Sequence, residues 1–261
     1  MKIIADLHTH TVASGHAYST VNEMAGEAGR KGLKALALTD HGPALPGGPH
    51  LYHFGAMRFI PSWIGGVRIL RGVEANIIGT DGTLDMPESY LERLDFVLAG
   101  LHEGTGFDDH GIAGNTEALI RAMANPRVRA VAHSGNPVYP VHFEKLVQAA
   151  VDTGTALEIN NASFCLSRTG SRPQCERLAE LIARSGALVV VGSDAHIAQG
   201  VGEFGEAIAV LEQAGIPAQQ VVNSSYDRLL RFLGLEDIPD PAGLTAPSQA
   251  RHAPSAETRP G

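Results

Sequence analysis

The sequence predicts an α/β fold, a closed parallel barrel of seven strands in a single domain, and three observations predict it. Short apolar runs alternate with amphipathic stretches, the pattern of parallel strands joined by helices. Seven such runs can be counted, and each ends in a residue able to bind a metal ion or hydrogen-bond a ligand. In a closed parallel barrel all C-terminal strand tips share one rim, whereas an open doubly wound sheet brings only a few adjacent tips within reach of one ligand.

In chain order, Lys2-Ile3-Ile4-Ala5 reads as the first buried strand and runs into Asp6-Leu7-His8-Thr9-His10, with His16 close behind. Residues two apart on a strand face the same side, so His8 and His10 present two imidazoles to one point, with Asp6 beneath to orient a ring. Thr20 and Glu23 form a capping box that opens a helix, and Gly32 closes it. The second strand, residues 35–38, ends in Thr39-Asp40-His41. Residues 42–66 are rich in Gly and Pro and carry His50, His53, Arg58 and Trp63, which reads as a lid or binding loop. The third strand, 67–73, delivers Glu74, and the fourth, 94–101, delivers His102-Glu103. Asn115 or Thr116 caps the next helix, which stops near Pro126.

The fifth strand, 129–132, ends at His133, and a helix from Phe143 to Thr153 stops at Gly154. The sixth strand, 156–159, runs into Asn160-Asn161; Ser171 caps a helix with Pro173 in its first turn and Gly186 just beyond its end. The seventh, 188–191, leads to Gly192-Ser193-Asp194-Ala195-His196. Between Glu203 and Leu235, two amphipathic stretches broken at Gly215-Ile216-Pro217 are expected on the outside of the barrel. The barrel is thus expected over residues 1–236, followed by a disordered Pro/Ala-rich tail over 237–261 that includes His252.

Composition narrows the function. A hydrophobic share of 44% is globular, and no stretch reaches the roughly 18 to 20 uninterrupted apolar residues of a membrane span. Met1-Lys2 enters the first strand directly, without a signal peptide, so a cytoplasmic protein with no membrane partner is expected. Cys165 and Cys175 lack a Cys-x-x-Cys spacing and are expected as reduced thiols, Cys165 as a small buried residue. A formal charge of -8 argues against nucleic acid as a partner, though not against a small anion, because bound cations make a site locally positive.

The strand tips together supply His8, His10, His16, His41, Glu74, His102, His133, Asp194 and His196. A catalytic zinc site commonly uses three protein ligands plus water, so nine donors suit three divalent cations with open positions. Zinc is the first expectation, with manganese and iron also suited to imidazole-rich sites. Asp6-Leu7-His8-Thr9-His10, Thr39-Asp40-His41, Glu74, His102, His133 and Ser193-Asp194-Ala195-His196 match in order the motifs of the polymerase and histidinol phosphatase (PHP) superfamily. Over roughly residues 1–235 the chain resembles its small stand-alone bacterial phosphatases of the YcdX type. Thr11 to Ser14 before His16, and Glu158-Ile159-Asn160-Asn161 before Ser163-Phe164, look like that branch in particular.

The resemblance implies a distorted (β/α)7 TIM-like barrel with a trinuclear, usually zinc, centre and phosphoesterase activity. Carried over by position, His8 and His10 would hold one metal with Glu74 and Asp194. Glu74 would bridge to a second held by His102 and His133, and His16, His41 and His196 would hold the third. The expected reaction is hydrolysis of a phosphate monoester by a metal-bound hydroxide, with Asp194, Glu74 and His196 in catalytic roles. Arg58, His50 and His53 are the expected substrate contacts, Arg168 a weaker candidate, and Asp40 and Glu103 supporting partners of ligands or simple caps. His110 and His142 lie away from the tips and are read as surface residues. A phosphodiesterase or 3'-5' exonuclease of the same superfamily is one alternative; a 5% aromatic content speaks against it. An amidohydrolase-like hydrolase is another, but it would want a lysine at a strand tip. The partner expected is a small anionic phosphate ester, and a homo-oligomer is left open.

Overall fold

The computed structural model describes residues 1–241. Its strands are β1 (Ala5–Asp6), β2 (Ala35–Leu38), β3 (Trp63–Ile64), β4 (Val67–Asn76), β5 (Phe96–Gly100), β6 (Ala130–Val131), β7 (Ala156–Asn160) and β8 (Val189–Gly192). The helices are α1 (Val21–Arg30), α2 (Leu51–Ala56), α3 (Glu88–Leu91), α4 (Gly111–Met123), α5 (Phe143–Thr153), α6 (Ala162–Cys165), α7 (Ser171–Ser185), α8 (Gly205–Gln213) and α9 (Tyr226–Leu233). Parallel neighbours run β1-β2-β4-β5-β6-β7-β8, and β3 pairs antiparallel with β4 outside that path. This is a nearly closed seven-stranded parallel barrel with helices around it. Among the described residues no helix is long and apolar enough to cross a membrane.

Closure between β1 and β8 is made in two different ways. At the rim the backbones pair directly: Asp194 N donates to His8 O and His10 N to Ala195 O, both at 2.9 Å. Lower down the strands part, and Asn223 fills the gap. Its Nδ2 donates to Ala5 O and Val191 O, each at 2.8 Å, and its Oδ1 accepts from Val191 N at 3.1 Å. One buried amide side chain thus does the work of a missing strand segment.

Inside the ring, Ala5, Ala35, Ala37, Ala130 and Ala132 pack with Leu7, Leu70, Phe96, Leu98 and Val190. A narrow ring leaves little interior room, and the alanines answer that constraint. Leu229 and Leu233 of α9 join this interior cluster, so that helix closes the N-terminal end of the barrel. It does not lie on the outside, where the sequence reading set it; the large apolar leucines fill the mouth that small interior residues leave open. The opposite strand faces, Leu36, Leu38, Ile69, Val73 and Val97 among them, form the larger core under the helices.

Two local features differ from the sequence reading. β3 and β4 make a two-residue hairpin through Gly65 and Gly66, whose φ of 57° and 80° suit the turn. Residues 42–66 therefore hold α2, a 3-10 turn and a strand, and Phe54 and Met57 anchor them in the core. α4 starts at Gly111 and not at Asn115 or Thr116. Asn115 is buried within it, its side chain bonding His110 N, Asp109 and Pro140 O across the adjoining loop. The expected α1 capping box is present: Thr20 N donates to Glu23 at 2.7 Å and Glu23 N to Thr20 Oγ1 at 3.4 Å. Of the tail expected over 237–261, residues 242–261, with His252, lie outside the described residues.

Replacing Asn223 by Ala would strand buried Ala5 O and both backbone groups of Val191. Such groups cost about 1 to 3 kcal/mol each when unpaired, with partial relief by water, so Asn223→Ala should lose about 3 kcal/mol in urea unfolding. A loss under about 0.5 kcal/mol would show that β1 and β8 are held by the rim pairs alone.

Candidate metal centre

Glu74, at the tip of β4 and fully buried, is the hub of the rim. Its Oε2 faces His8 Nε2 at 3.1 Å, His10 Nε2 at 3.5 Å and His41 Nδ1 at 3.0 Å. Its Oε1 faces His102 Nε2 at 3.0 Å and His133 Nε2 at 2.8 Å. Asp194 Oδ1 lies 3.2 Å from His10 Nε2 and 3.6 Å from His8 Nε2, and Oδ2 accepts from Arg168 at 2.9 Å. At the outer edge His196 and His16 meet through their Nε2 atoms at 3.0 Å.

The electrostatics favour ligating forms. Burial would raise the Glu74 and Asp194 carboxyls, but the imidazoles around Glu74, His8 first, and His8 with the Arg168 guanidinium beside Asp194 outweigh it and hold both well below the usual carboxylate range. Burial, helped by His41, pushes His10 down to about 3; burial and the Arg168 charge bring His133 to about 3. Neutral imidazole is the form that binds metal. His8 goes the other way: burial opposes its charge, yet Glu158, Glu74 and Asp194 together hold it well above its ordinary value. The acidic box demands positive charge, and a proton on His8 is the least that can supply it.

These residues fit divalent cations. His8 Nε2, His10 Nε2, His41 Nδ1 and Glu74 Oε2 are buried without a hydrogen-bond partner. Orphaned groups of this kind are costly unless something joins them. Three sets have ligand atoms all within 4.8 Å of one another: His8, His10 and Asp194; His41, Glu74 and His102; and His10, His41 and His196. His41 stands between the last two sets, a more central place than the third site alone.

The PHP domain profile matches residues 6–162, which carry most of this constellation. The chain belongs to the PHP domain family. A protein of Syntrophotalea carbinolica named a probable phosphatase is 48% identical over 235 residues, covering 90% of this chain and 98% of its own. A probable phosphatase of Caldanaerobacter subterraneus subsp. tengcongensis is 48% identical over 233 residues, covering 89% of this chain and 92% of its own. Among solved structures, the histidinol phosphate phosphatase of Lactococcus lactis, complexed with zinc, L-histidinol and phosphate, aligns with a TM-score of 0.54 at 18% identity, over 82% of this chain and 94% of that one. At that identity the likeness speaks for a shared fold.

Around the PHP centre, the partner that orients His8 differs from the one read in the sequence. Asp6 does not touch a ring; it accepts from the backbone of His8, Ser193 and Gly202 and ties the two rim segments together. The residue that orients His8 is Glu158, whose Oε1 meets His8 Nδ1 at 2.7 Å while Oε2 accepts from His133 N at 2.9 Å. Asp40 accepts from Thr11, Ser14 and His53, and Ser14 Oγ meets His10 Nδ1 at 3.3 Å, so Asp40 acts on that ring through a hydroxyl.

Glycines in the barrel wall make the room. A Cβ on Gly192 would collide with His8 and Glu158, and one on Gly100 would come 2.9 Å from His102 and 3.2 Å from His133. The three described non-glycine residues with positive φ, His133 at 28°, Arg168 at 54° and Asp194 at 58°, all lie in this site. Backbone strain of this sort persists where the surroundings over-determine it, commonly at functional sites.

None of the expected substrate contacts lines the cavity above the cluster, and only His53 joins the network behind it. Arg58 donates to Gly55 O at 2.7 Å and stacks on Phe59; His50 caps α2; His53 is held by Asp40 at 3.1 Å. Arg168, the weaker candidate, instead lines the cavity above the cluster. Cys165 lines it too and is exposed, not buried as expected, because α6 ends there and turns it outward; Cys175 is the buried thiol, raised to about 12 by burial.

Glu158→Gln should keep the shape but lose the charge behind His8. Metal affinity, read by chelator competition, is expected to fall about 10- to 100-fold. Gly192→Ala, which drives a methyl group into His8 and Glu158, should lose bound metal and about 1 to 3 kcal/mol of stability.

Proposed function

We propose that this PHP protein is a metal-dependent phosphatase acting on phosphate monoesters, with three divalent cations, zinc first among them, held by the nine rim residues. The observation that carries the reading is the set of orphaned donors around Glu74, one of which, His41, lines a cavity of about 1070 Å³ together with His102 and Asp194. The relatives' names, probable phosphatases, support the same reaction class.

Bound there, the cations would supply charge on the phosphoryl oxygens and an activated water as nucleophile. Glu74 and Asp194 offer only two negative charges against three dications, a surplus of about four that suits a monoester dianion. Arg168 gives one Nη1 hydrogen bond to Asp194, and its other guanidinium donors are those a phosphoryl oxygen would meet. It takes the role that Arg58 was expected to fill. His16 and His196, less buried than the rest, border the side from which the ester enters. Glu158 and Asp40 keep His8 and His10 in fixed orientation, so the rim does not rearrange as charge develops.

The test sets p-nitrophenyl phosphate beside bis(p-nitrophenyl) phosphate and single-stranded DNA, with metal content measured on the same sample. Turnover of the monoester is expected, lost on chelation and regained with zinc or manganese. Asp194→Asn should lower kcat/KM by about 100-fold or more. Cleavage of the diester or of DNA with no turnover of the monoester would overturn the proposal.

A further inference from the structure

The floor of the cavity is charged, while much of its wall is apolar. Leu45 and Pro46 from the segment after β2, Ala162 and Leu166 from α6 and its end, and Ile197 beyond β8 line the upper part. Leu166 is 87% exposed and Ile197 46% exposed, so two large apolar side chains border the mouth with little else against them. Neither is needed to fill the core, and both open directly onto the floor that Arg168, Asp194 and His196 share.

The charged groups above the floor are all acidic. Glu203 pairs with Lys31, and Glu206 with Arg172 at 2.5 Å. Glu103 has no ion pair among the described residues. Among the described residues, no basic side chain lines the cavity apart from Arg168 and the histidines. A second phosphate on a substrate would therefore face apolar surface and an unpaired carboxylate.

We infer that the substrate is a monophosphate whose alcohol carries a ring-sized apolar body and no second anionic group, seated against Leu166 and Ile197. This rests on the phosphomonoesterase reading and deepens it. At about 1070 Å³ the cavity stands just above the usual span of small-molecule sites, roughly 300 to 1000 Å³, which leaves room for a ring-sized body; such sites are mostly apolar, with a few polar groups that fix orientation. Contact with the wall holds the leaving group while the phosphate meets the floor. The unpaired Glu103 excludes bisphosphates by repulsion.

The experiment compares 1-naphthyl phosphate with glycerol 2-phosphate, and hexose 6-phosphate with hexose 1,6-bisphosphate, on metal-loaded protein. The wild type should prefer the first of each pair by about tenfold or more in kcat/KM. The double variant Leu166→Ser, Ile197→Ser should reduce the naphthyl-to-glycerol ratio about tenfold, mainly through KM, while Val151→Ser, exposed on α5 away from the cavity, leaves the ratio alone. Glu103→Lys should narrow the gap between the two hexose phosphates. Equal kcat/KM values within each pair, or a double variant whose ratio stays put, would overturn the inference and leave the phosphatase reading standing. Failure to turn over any of the four esters would overturn both.

Discussion

One carboxylate set among five imidazoles is the constraint on which the structure turns. Glu74 has no exposed surface, keeps its charge, and meets His8, His10, His41, His102 and His133 within 3.5 Å. A charge so placed is costly unless it is paired, and most of the rings around it are held neutral by the same burial. His8 is drawn toward its charged form. The balance is short of positive charge by design of the site, and cations with imidazole and carboxylate ligands are the groups that restore it. The room for those rings comes from glycine in the wall, and their orientation from Glu158, Ser14 and strained backbone at His133 and Asp194.

Closure of the barrel serves the same end. His8 and His10 leave β1, and Asp194 and His196 follow β8, the first and last strands of the ring. In an open sheet they would stand at opposite edges. Rim pairing at 2.9 Å sets them side by side, and Asn223 with Asp6 keeps that seam from opening below and beside it. α9 at the far end fills the barrel mouth with leucine, so the polar end can be given over to ligands without losing the core.

Much of this was legible in the sequence because it follows local rules. Apolar runs with donors at their tips announced the barrel, and two-residue periodicity put His8 and His10 on one face. What could not be read depended on contacts distant in the chain. Glu158 reaches His8 across 150 positions, whereas Asp6, adjacent in sequence, has its acceptor atoms claimed by backbone amides. Arg168 and Arg58 look alike as letters; only folding puts one beside Asp194 and the other on Phe59. The Gly65-Gly66 hairpin was a local signal, present and passed over because the segment around it is rich in Gly and Pro. Gly100 and Gly192 were local signals of another kind. A glycine at a strand tip beside a histidine tells of a ring that needs the space.

The floor and the walls of the cavity answer to different physical demands, and this separates chemistry from specificity. Most of the ligand groups, His8, His10, His41, Glu74, His133 and Asp194, are buried and share partners with one another, so a change at one is felt by several. Leu166 and Ile197 are exposed, make no hydrogen bonds with their side chains, and stand outside the core clusters. Substitution there removes little buried area and leaves the charge balance around Glu74 untouched. A barrel built in this way can exchange one leaving group for another by altering its exposed mouth. It cannot exchange its reaction without rebuilding the wall of glycines, the seam at Asn223 and the carboxylate they surround.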